Sequence, residues 1–229
     1  MASLAQLLAS HGRILVIDAA STNVHVGLLR LGELAIWRQS PDEAGKAVFV
    51  LVEACLQEAH LNLVDVPAFA YCAGPGSMLG IRTVVMALRT WQGLVSRPSY
   101  HYLSLALLAH ELARQGKAAP FAVIADARRE TWHVNAVDAD RHVQPLQRVT
   151  QAELAAGDTP LWQSAAFRAW SDPPRDTHDT PYQPAALFGA QIDTDLLALV
   201  EPPDVFQHAA PEYKKWTAQV HRAATAHPK

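Results

Sequence analysis

Cysteine is scarce in this chain, which contains only Cys55 and Cys72 among its 229 residues. Cys55 lies in an apolar pattern with helical spacing, and Cys72 lies in a strand-like apolar run. A thiol in such surroundings behaves as a small hydrophobe. Two cysteines cannot form the framework of a disulfide-rich secreted domain, so both are predicted to be reduced residues of the core.

Long apolar runs are also missing. No stretch reaches the length that a bilayer requires, and residues 1–8 have neither the basic segment nor the apolar length of a signal peptide. The content of 50% hydrophobic and 18% charged residues is typical of a globular protein with one large or two small domains. We therefore expect a cytoplasmic protein without a membrane association.

The chain has no excess of positive charge. Its 19 Lys and Arg residues are outnumbered by 22 Asp and Glu residues, which gives a formal net charge of -3. No overall basic field is therefore available to recruit nucleic acid, and contact with RNA would need a local patch or a partner protein.

Motifs for metal binding and nucleophilic catalysis are absent as well. His110-Glu111 is followed by Arg114, where a zinc-protease helix needs a second histidine. Ser77 does not lie in the Gly-x-Ser-x-Gly pattern of a hydrolase nucleophile. We predict no catalytic residue and no metal ligand.

The most informative stretch that is present is residues 71–82, YCAGPGSMLGIR. An apolar run turns there into a segment with apolar residues three and four positions apart, which predicts a strand followed by a helix. Glycine permits a tight turn and close backbone approach, and Ser77 is a favourable N-cap. Such a helix start suits an anion or a tightly packed neighbour, although an ordinary strand-to-helix connection has the same pattern.

Two apolar strands end in an acid, Asp18 and Asp126, and each is followed by another strand. This recurrence indicates a duplicated unit. His25 alternates with valines and is predicted to face solvent, while residues 157–184 are predicted to be irregular. With those two included, the predicted strands lie at residues 13–18, 24–30, 33–39, 68–72, 120–126 and 130–137. The predicted helices, apart from the one after Ser77, lie at residues 43–60, 104–113 and 184–200.

Three segments have the order and spacing of known family motifs: residues 14–21 (ILVIDAAS), 74–82 (GPGSMLGIR) and 124–128 (IADAR). With them the chain resembles the TsaB (YeaZ) family, glycoprotease-like proteins that take part in bacterial synthesis of tRNA threonylcarbamoyladenosine. The corresponding family motifs are a strand followed by Asp-Thr-Ser-Thr, then GPGSFTGLR and Ile-Asp-Ala-Arg. The resemblance covers about the first 140 positions and is weaker after them. Near the end of the chain, residues 211–215 (PEYKK) look like the family's Pro-x-Tyr-x-Arg.

The resemblance implies an α/β fold of the two-lobed actin-like (ASKHA, ribonuclease H-like) class, with duplicated mixed sheets flanked by helices. Residues 1–101 would form the N-terminal lobe, which carries the GPGS turn and the interface, and residues 102–229 would form a degenerate C-terminal lobe. It also implies a non-catalytic scaffold for a TsaD-like catalytic paralogue in threonylcarbamoyl modification of tRNA adenosine. A TsaE-like ATPase is a further candidate partner, the chain alone is expected to be a homodimer, and tRNA is expected to be contacted only through the complex.

The chain departs from the family where ATP-binding members surround phosphate. Ala19 and Ala20 replace hydroxyl residues, and Leu79 replaces a threonine. We therefore predict that the chain alone has no cofactor and that binding of ATP with magnesium would require the complex. The vestigial nucleotide cleft would comprise Asp18, Ser21, Asp126 and Arg128.

A second apolar surface points to a partner. Phe49 and Val50 lie beside the main apolar stripe of the helix at residues 43–60, although a fuller intramolecular core would have the same pattern. The predicted interface or turn residues are Gly74, Pro75, Gly76, Ser77, Gly80, Arg82, Phe49 and Val50. The alternative function is a nucleotide-dependent phosphotransferase of the same fold that uses Asp18 and Asp126, and a peptidase is a less favoured third.

Overall fold

The computed structural model describes residues 1–207, so the PEYKK segment at residues 211–215 lies outside the described part of the chain. The strands are β1 (Ala2–Ser3), β2 (Arg13–Asp18), β3 (Val24–Arg30), β4 (Ile36–Ser40), β5 (Phe69–Gly74), β6 (Ser99–Leu103), β7 (Phe121–Asp126), β8 (Thr131–Val137), β9 (Gln147–Thr150), β10 (Leu161–Gln163), β11 (Thr177–Asp179) and β12 (Asp195–Val200). The helices are α1 (Leu4–His11), α2 (Ala44–Glu58), α3 (Met78–Leu94), α4 (Ser104–Arg114), α5 (Gln151–Ala156) and α6 (Pro184–Ala190), with one 3-10 turn at Leu63–Asp65. Within residues 1–207, no helix is long and apolar enough to cross a bilayer.

The strands form two mixed sheets. The first has seven strands in the order β1-β12-β6-β5-β2-β3-β4, and the second has five in the order β11-β10-β7-β8-β9. In the first sheet, β2, β3 and β4 pair antiparallel, and the chain returns through α2 to β5, which lies parallel to β2. A parallel return requires a crossover, and α2 provides it.

The second sheet repeats this topology. β7, β8 and β9 pair antiparallel, and the chain returns through α5 to β10, which lies parallel to β7. Asp18 and Asp126 are therefore the last residues of equivalent strands in the two sheets. The duplicated actin-like α/β fold that the sequence predicts is confirmed.

The prediction of a single helix over residues 184–200 is wrong. α6 ends at Ala190, and residues 195–200 form β12, which pairs antiparallel with β6. Short apolar runs fit a strand or a helix equally well by periodicity, and here the edge of β6 supplies backbone partners while Leu196 and Leu197 become buried. The division into lobes at 101/102 stays a prediction, but this strand from the second half lies in the first sheet.

Residues 157–184 are mostly irregular, as expected, but they contain two three-residue strands, β10 and β11. β4 begins at Ile36 rather than at Glu33, because the preceding residues form a turn in which Gly32 has a φ of 73°. Such a φ strains residues with a side chain and suits glycine.

One apolar core extends across both sheets, and it includes residues of β2, β5 and β7 as well as of α2, α3 and α4. Cys55 and Cys72 are both buried in it and unpaired, which agrees with their prediction as core residues. Burial raises the pKa of the Cys55 thiol to about 11 and that of Cys72 well above its ordinary value. Neither thiol is therefore ionised near neutral pH.

Candidate functional site

The GPGS turn connects β5 to α3 as predicted. β5 ends at Gly74, α3 begins at Met78, and Ser77 is the N-cap, whose hydroxyl accepts a hydrogen bond from the Gly80 N–H at 3.3 Å. The side chain thus satisfies one of the amides that a helix start leaves unpaired.

The turn packs backbone against backbone on the loop that follows β2. The Ser77 N–H donates to the Ala20 carbonyl at 2.7 Å. A Cβ on Gly76 would lie 2.2 Å from the Ala20 oxygen, and a Cβ on Gly80 would lie 2.2 Å from the Ala19 oxygen. Of the two interpretations of this helix start, the tightly packed neighbour therefore describes the structure, because the loop occupies the place where an anion would need to approach.

Asp18 is fully buried at the end of β2, where protein groups satisfy its carboxyl group. Oδ1 accepts a hydrogen bond from the Ala20 N–H at 2.9 Å, and Oδ2 accepts from the hydroxyls of Tyr102 and Tyr182, each at 2.5 Å. Tyr102 comes from β6 of the same sheet, whereas Tyr182 comes from the segment just before α6, 164 residues along the chain. The bond to Ala20 caps the loop that follows β2, and the two phenols donate to the other oxygen of the carboxyl group.

The surroundings of Asp18 keep both phenols protonated. Burial, reinforced by Asp18, raises the pKa of Tyr102 and of Tyr182 well above the ordinary value, so each hydroxyl remains a hydrogen-bond donor. We name this group, formed by Asp18, Tyr102, Tyr182 and the Ala20 amide, the Asp18 cluster. Its phenols lie in segments without a recognisable motif, so sequence reasoning missed both of them.

His25 contradicts its prediction, because it is buried rather than facing solvent. It lies opposite Asp18 in the pairing of β2 with β3. β3 is an inner strand covered on both faces, so the alternation of residues along it does not separate a core side from a solvent side. Burial lowers the pKa of His25, and the nearby Asp18 opposes this shift.

Ser21 forms a local turn. Its hydroxyl donates to the Asn23 carbonyl at 2.8 Å and accepts from the Asn23 N–H at 3.3 Å. These local hydrogen bonds explain why Ser21 occupies its position in the loop after β2, and no bound ligand is needed for that explanation.

Asp126, the counterpart of Asp18, joins two loops of the second sheet. Its carboxylate accepts backbone hydrogen bonds from Arg128 at 2.5 Å, Trp170 at 2.7 Å and Ser171 at 2.8 Å. Burial raises the pKa of Asp126, but these amides outweigh it and bring the net pKa below the ordinary value. Arg128, in turn, places its guanidinium over the ring of Trp170.

The structure does not bring Asp18 and Asp126 together into a metal site. Among residues 1–207, the single cluster with three ligand atoms within reach of one ion is Asp138, Asp140 and His142 in the turn after β8. It is largely exposed and contains none of the residues of the predicted cleft.

Phe49 and Val50 lie on the surface, with 49% and 54% of their area exposed. Phe49 contacts the edge of Trp91 on α3, with ring centroids 6.1 Å apart, so α2 and α3 are neighbours here. α3 adds Leu79 and Met86, which are 79% and 60% exposed. We name these four apolar side chains the α2–α3 surface. The alternative of a fuller intramolecular core does not describe them.

Arg82 lies on the exposed side of α3. It forms no ion pair with any of residues 1–207. Its place in an interface stays a prediction.

Comparisons with known proteins give a consistent picture. The model of the TsaD family, described as tRNA N6-adenosine threonylcarbamoyltransferase, matches residues 42–153, just under half of the chain. A comparison with curated protein sequences finds no match.

Two solved structures from Pseudomonas aeruginosa share the fold: YeaZ and a protein described as similar to the peptidase YeaZ. Each is 21% identical, with a TM-score of 0.55, over 67% of this chain and 75% of the other. This likeness supports the actin-like architecture derived from the strand pairing.

Proposed function

We propose that this chain is a TsaB/YeaZ-like member of the glycoprotease-like family and that it acts as a non-catalytic scaffold. The matched TsaD model and the fold shared with YeaZ support the family part of this proposal. It associates with a TsaD-like catalytic paralogue that modifies tRNA adenosine with a threonylcarbamoyl group. A TsaE-like ATPase is a further candidate partner of that assembly, a homodimer is the proposed state of the chain alone, and the cytoplasm is the proposed location.

The observation that supports the proposal most strongly is that protein groups occupy the predicted nucleotide cleft beside Asp18 and the GPGS turn. Phosphate binding in this region would use the amides of the GPGS turn and the carboxylate at the end of β2. Here the Ser77 amide binds the Ala20 carbonyl, and Asp18 binds two phenols and an amide. A nucleotide would have to displace all of these groups, which supports a role without nucleotide chemistry in the isolated chain.

The α2–α3 surface supplies the means of association. Exposed apolar side chains on two adjacent helices favour a protein partner, because their burial removes apolar area from water. On α3 the surface begins at Leu79, two residues after the N-cap Ser77, so the turn fixes the direction of a helix that contributes to the interface.

The two alternatives lack a comparable observation. A phosphotransferase would need Asp18 accessible, and it is fully buried. A peptidase would need an activated nucleophile, but the Ser77 hydroxyl caps α3, and no histidine among residues 1–207 hydrogen-bonds to it.

A charge placed on the α2–α3 surface is expected to weaken association. Val50→Asp would bury a carboxylate against an apolar partner, and we expect at least a tenfold loss of affinity, roughly the 1.4 kcal/mol or more typical of a disrupted interface position. Sedimentation velocity measures this with the full chain alone and mixed with a TsaD-like protein. The wild type is expected to sediment above its monomer mass of 25.0 kDa in at least one of these samples.

Leu34→Asp is the matched control, because Leu34 is an apolar residue of the turn between β3 and β4 and is 90% exposed. It should leave association and circular dichroism unchanged. If Val50→Asp and Met86→Asp both keep the fold and the wild-type affinity, association uses another face and the proposed role of these helices is wrong.

A further inference from the structure

Trp170 is a large aromatic side chain left half exposed, at 49% of its area, in the segment between β10 and β11. The guanidinium of Arg128 lies 4.0 Å from its ring centroid, and that of Arg168 lies 5.7 Å away. Cations over an indole face are attracted by its quadrupole, and a stacked guanidinium keeps its N–H groups free to bind anions at its edge.

The backbone holds this arrangement in place. Asp126 accepts hydrogen bonds from the amides of Arg128, Trp170 and Ser171. Its carboxylate therefore fixes the loop that contains Arg128 relative to the loop that contains Trp170 and Ser171. Arg148 on β9 is bound to the same turn, because its Nε donates to Thr131 Oγ1 at 2.9 Å and its Nη2 donates to the Ala127 carbonyl at 3.3 Å. The backbone of Arg128 and Trp170 is therefore held by Asp126, and the turn that carries Arg128 is held further by Arg148.

The charge of these arginines is not neutralised by ion pairs. Arg128, Arg129, Arg148 and Arg168 are all exposed, and none forms a salt bridge with another of residues 1–207. The carboxylate of Asp126 is occupied by three amides, which leaves Glu130 and Asp172 as the acids next to these residues in the sequence. The patch is mixed rather than polybasic, so it suits one or two phosphates next to an aromatic platform rather than a duplex.

We propose that this Trp170 platform, formed by Trp170, Arg128 and Arg168, binds a single-stranded segment of RNA directly. A base stacks on the exposed part of the indole, and the arginines bind the adjoining phosphates. Stacking on an aromatic side chain combined with arginine contacts is the chemistry by which proteins hold unpaired nucleotides. The choice of RNA over a protein ligand rests on the proposed function. Direct binding goes beyond that function, because the chain would then have its own contact with RNA.

Fluorescence anisotropy tests the proposal with the full chain and a labelled unstructured oligoribonucleotide about ten nucleotides long, without any partner protein, in low salt. We expect measurable binding that weakens as salt rises, with a log–log slope of about −1.4, the value for two phosphates on a single strand. Trp170→Ala is expected to reduce affinity by about tenfold or more, and Trp170→Phe by clearly less, because it keeps a ring on which a base can stack.

Arg128→Gln should weaken binding and lower the salt slope, since it removes a cation. Arg141→Gln is the matched control: Arg141 is another exposed turn arginine, with a φ of 67° against 63° for Arg128, and it lies in a different turn. It should bind RNA like the wild type. Thermal melting confirms that each variant is folded.

Three results would overturn the proposal: no binding by the wild type, equal affinity for the wild type and Trp170→Ala, or a Trp170→Ala variant that loses a TsaD-like partner while keeping RNA affinity. The last result would identify the platform as a protein contact. Failure here is distinguishable from failure of the scaffold proposal, because that proposal is tested by Val50→Asp in sedimentation without RNA.

Discussion

Replacing Gly76 with valine is expected to destabilise the protein by about 3 kcal/mol or more, which corresponds to a loss of roughly 6–12 °C in Tm for a chain of this size. Gly76 has a φ of 153°, in the region that strains residues with a side chain. Its Cβ would lie 2.2 Å from the carbonyl oxygen of Ala20, which is backbone and cannot turn aside. The Ser77–Ala20 hydrogen bond next to it would be lost as the two loops separate.

Gly93→Ala is the matched control, because Gly93 lies in α3 and a Cβ there meets nothing within 4 Å. A helical glycine replaced by alanine in open space should stabilise the protein by about 0.5–1 kcal/mol. Thermal and urea unfolding measure both variants. A Gly76→Val protein as stable as the wild type would show that the turn does not pack on the loop after β2.

The second large effect is expected at the Asp18 cluster. Asp18→Ala leaves the hydroxyls of Tyr102 and Tyr182 and the Ala20 amide buried without their carboxyl acceptor, and at about 1–3 kcal/mol for each of these three groups the total loss should be about 3 kcal/mol or more. Tyr182→Phe removes one donor while the carboxyl group keeps two partners, so it should cost about 1–3 kcal/mol.

The effects of Asp18→Ala and Tyr182→Phe on the free energy of unfolding are expected not to add. In the Asp18→Ala background, Tyr182→Phe should be neutral or stabilising, because it removes a hydroxyl that has already lost its carboxyl acceptor and keeps the Cys72 sulfur at 4.0 Å. Tyr100→Phe is the control, since the Tyr100 hydroxyl binds His11 at 2.9 Å instead, and its effect should be the same in both backgrounds. Strict additivity of Asp18→Ala and Tyr182→Phe in urea unfolding would contradict the hydrogen bonds described for the cluster.

Much of this fold could be predicted from residue patterns. Glycines beside Ser77 predicted the strand-to-helix turn, and two apolar strands ending in Asp18 and Asp126 predicted the duplication. These features are local, so they leave a signal in the sequence.

The contents of the cleft could not be predicted in the same way. Tyr182 lies 164 residues from Asp18, in a segment without periodicity, and no local rule pairs the two. β12 was missed for a related reason, because its pairing partner β6 lies about 100 positions earlier in the chain. The Trp170 platform depends likewise on Asp126 joining two distant loops.

The protein's own groups bind to one another between the GPGS turn and Asp18, and on this ground we propose that the isolated chain neither binds nor hydrolyses nucleotide. Isothermal titration of the full chain with ATP and magnesium tests this most directly. We expect no heat of binding in the titration, and no release of phosphate when the chain is incubated with ATP and magnesium. Stoichiometric binding or turnover that Asp18→Asn or Asp126→Asn abolishes would contradict it.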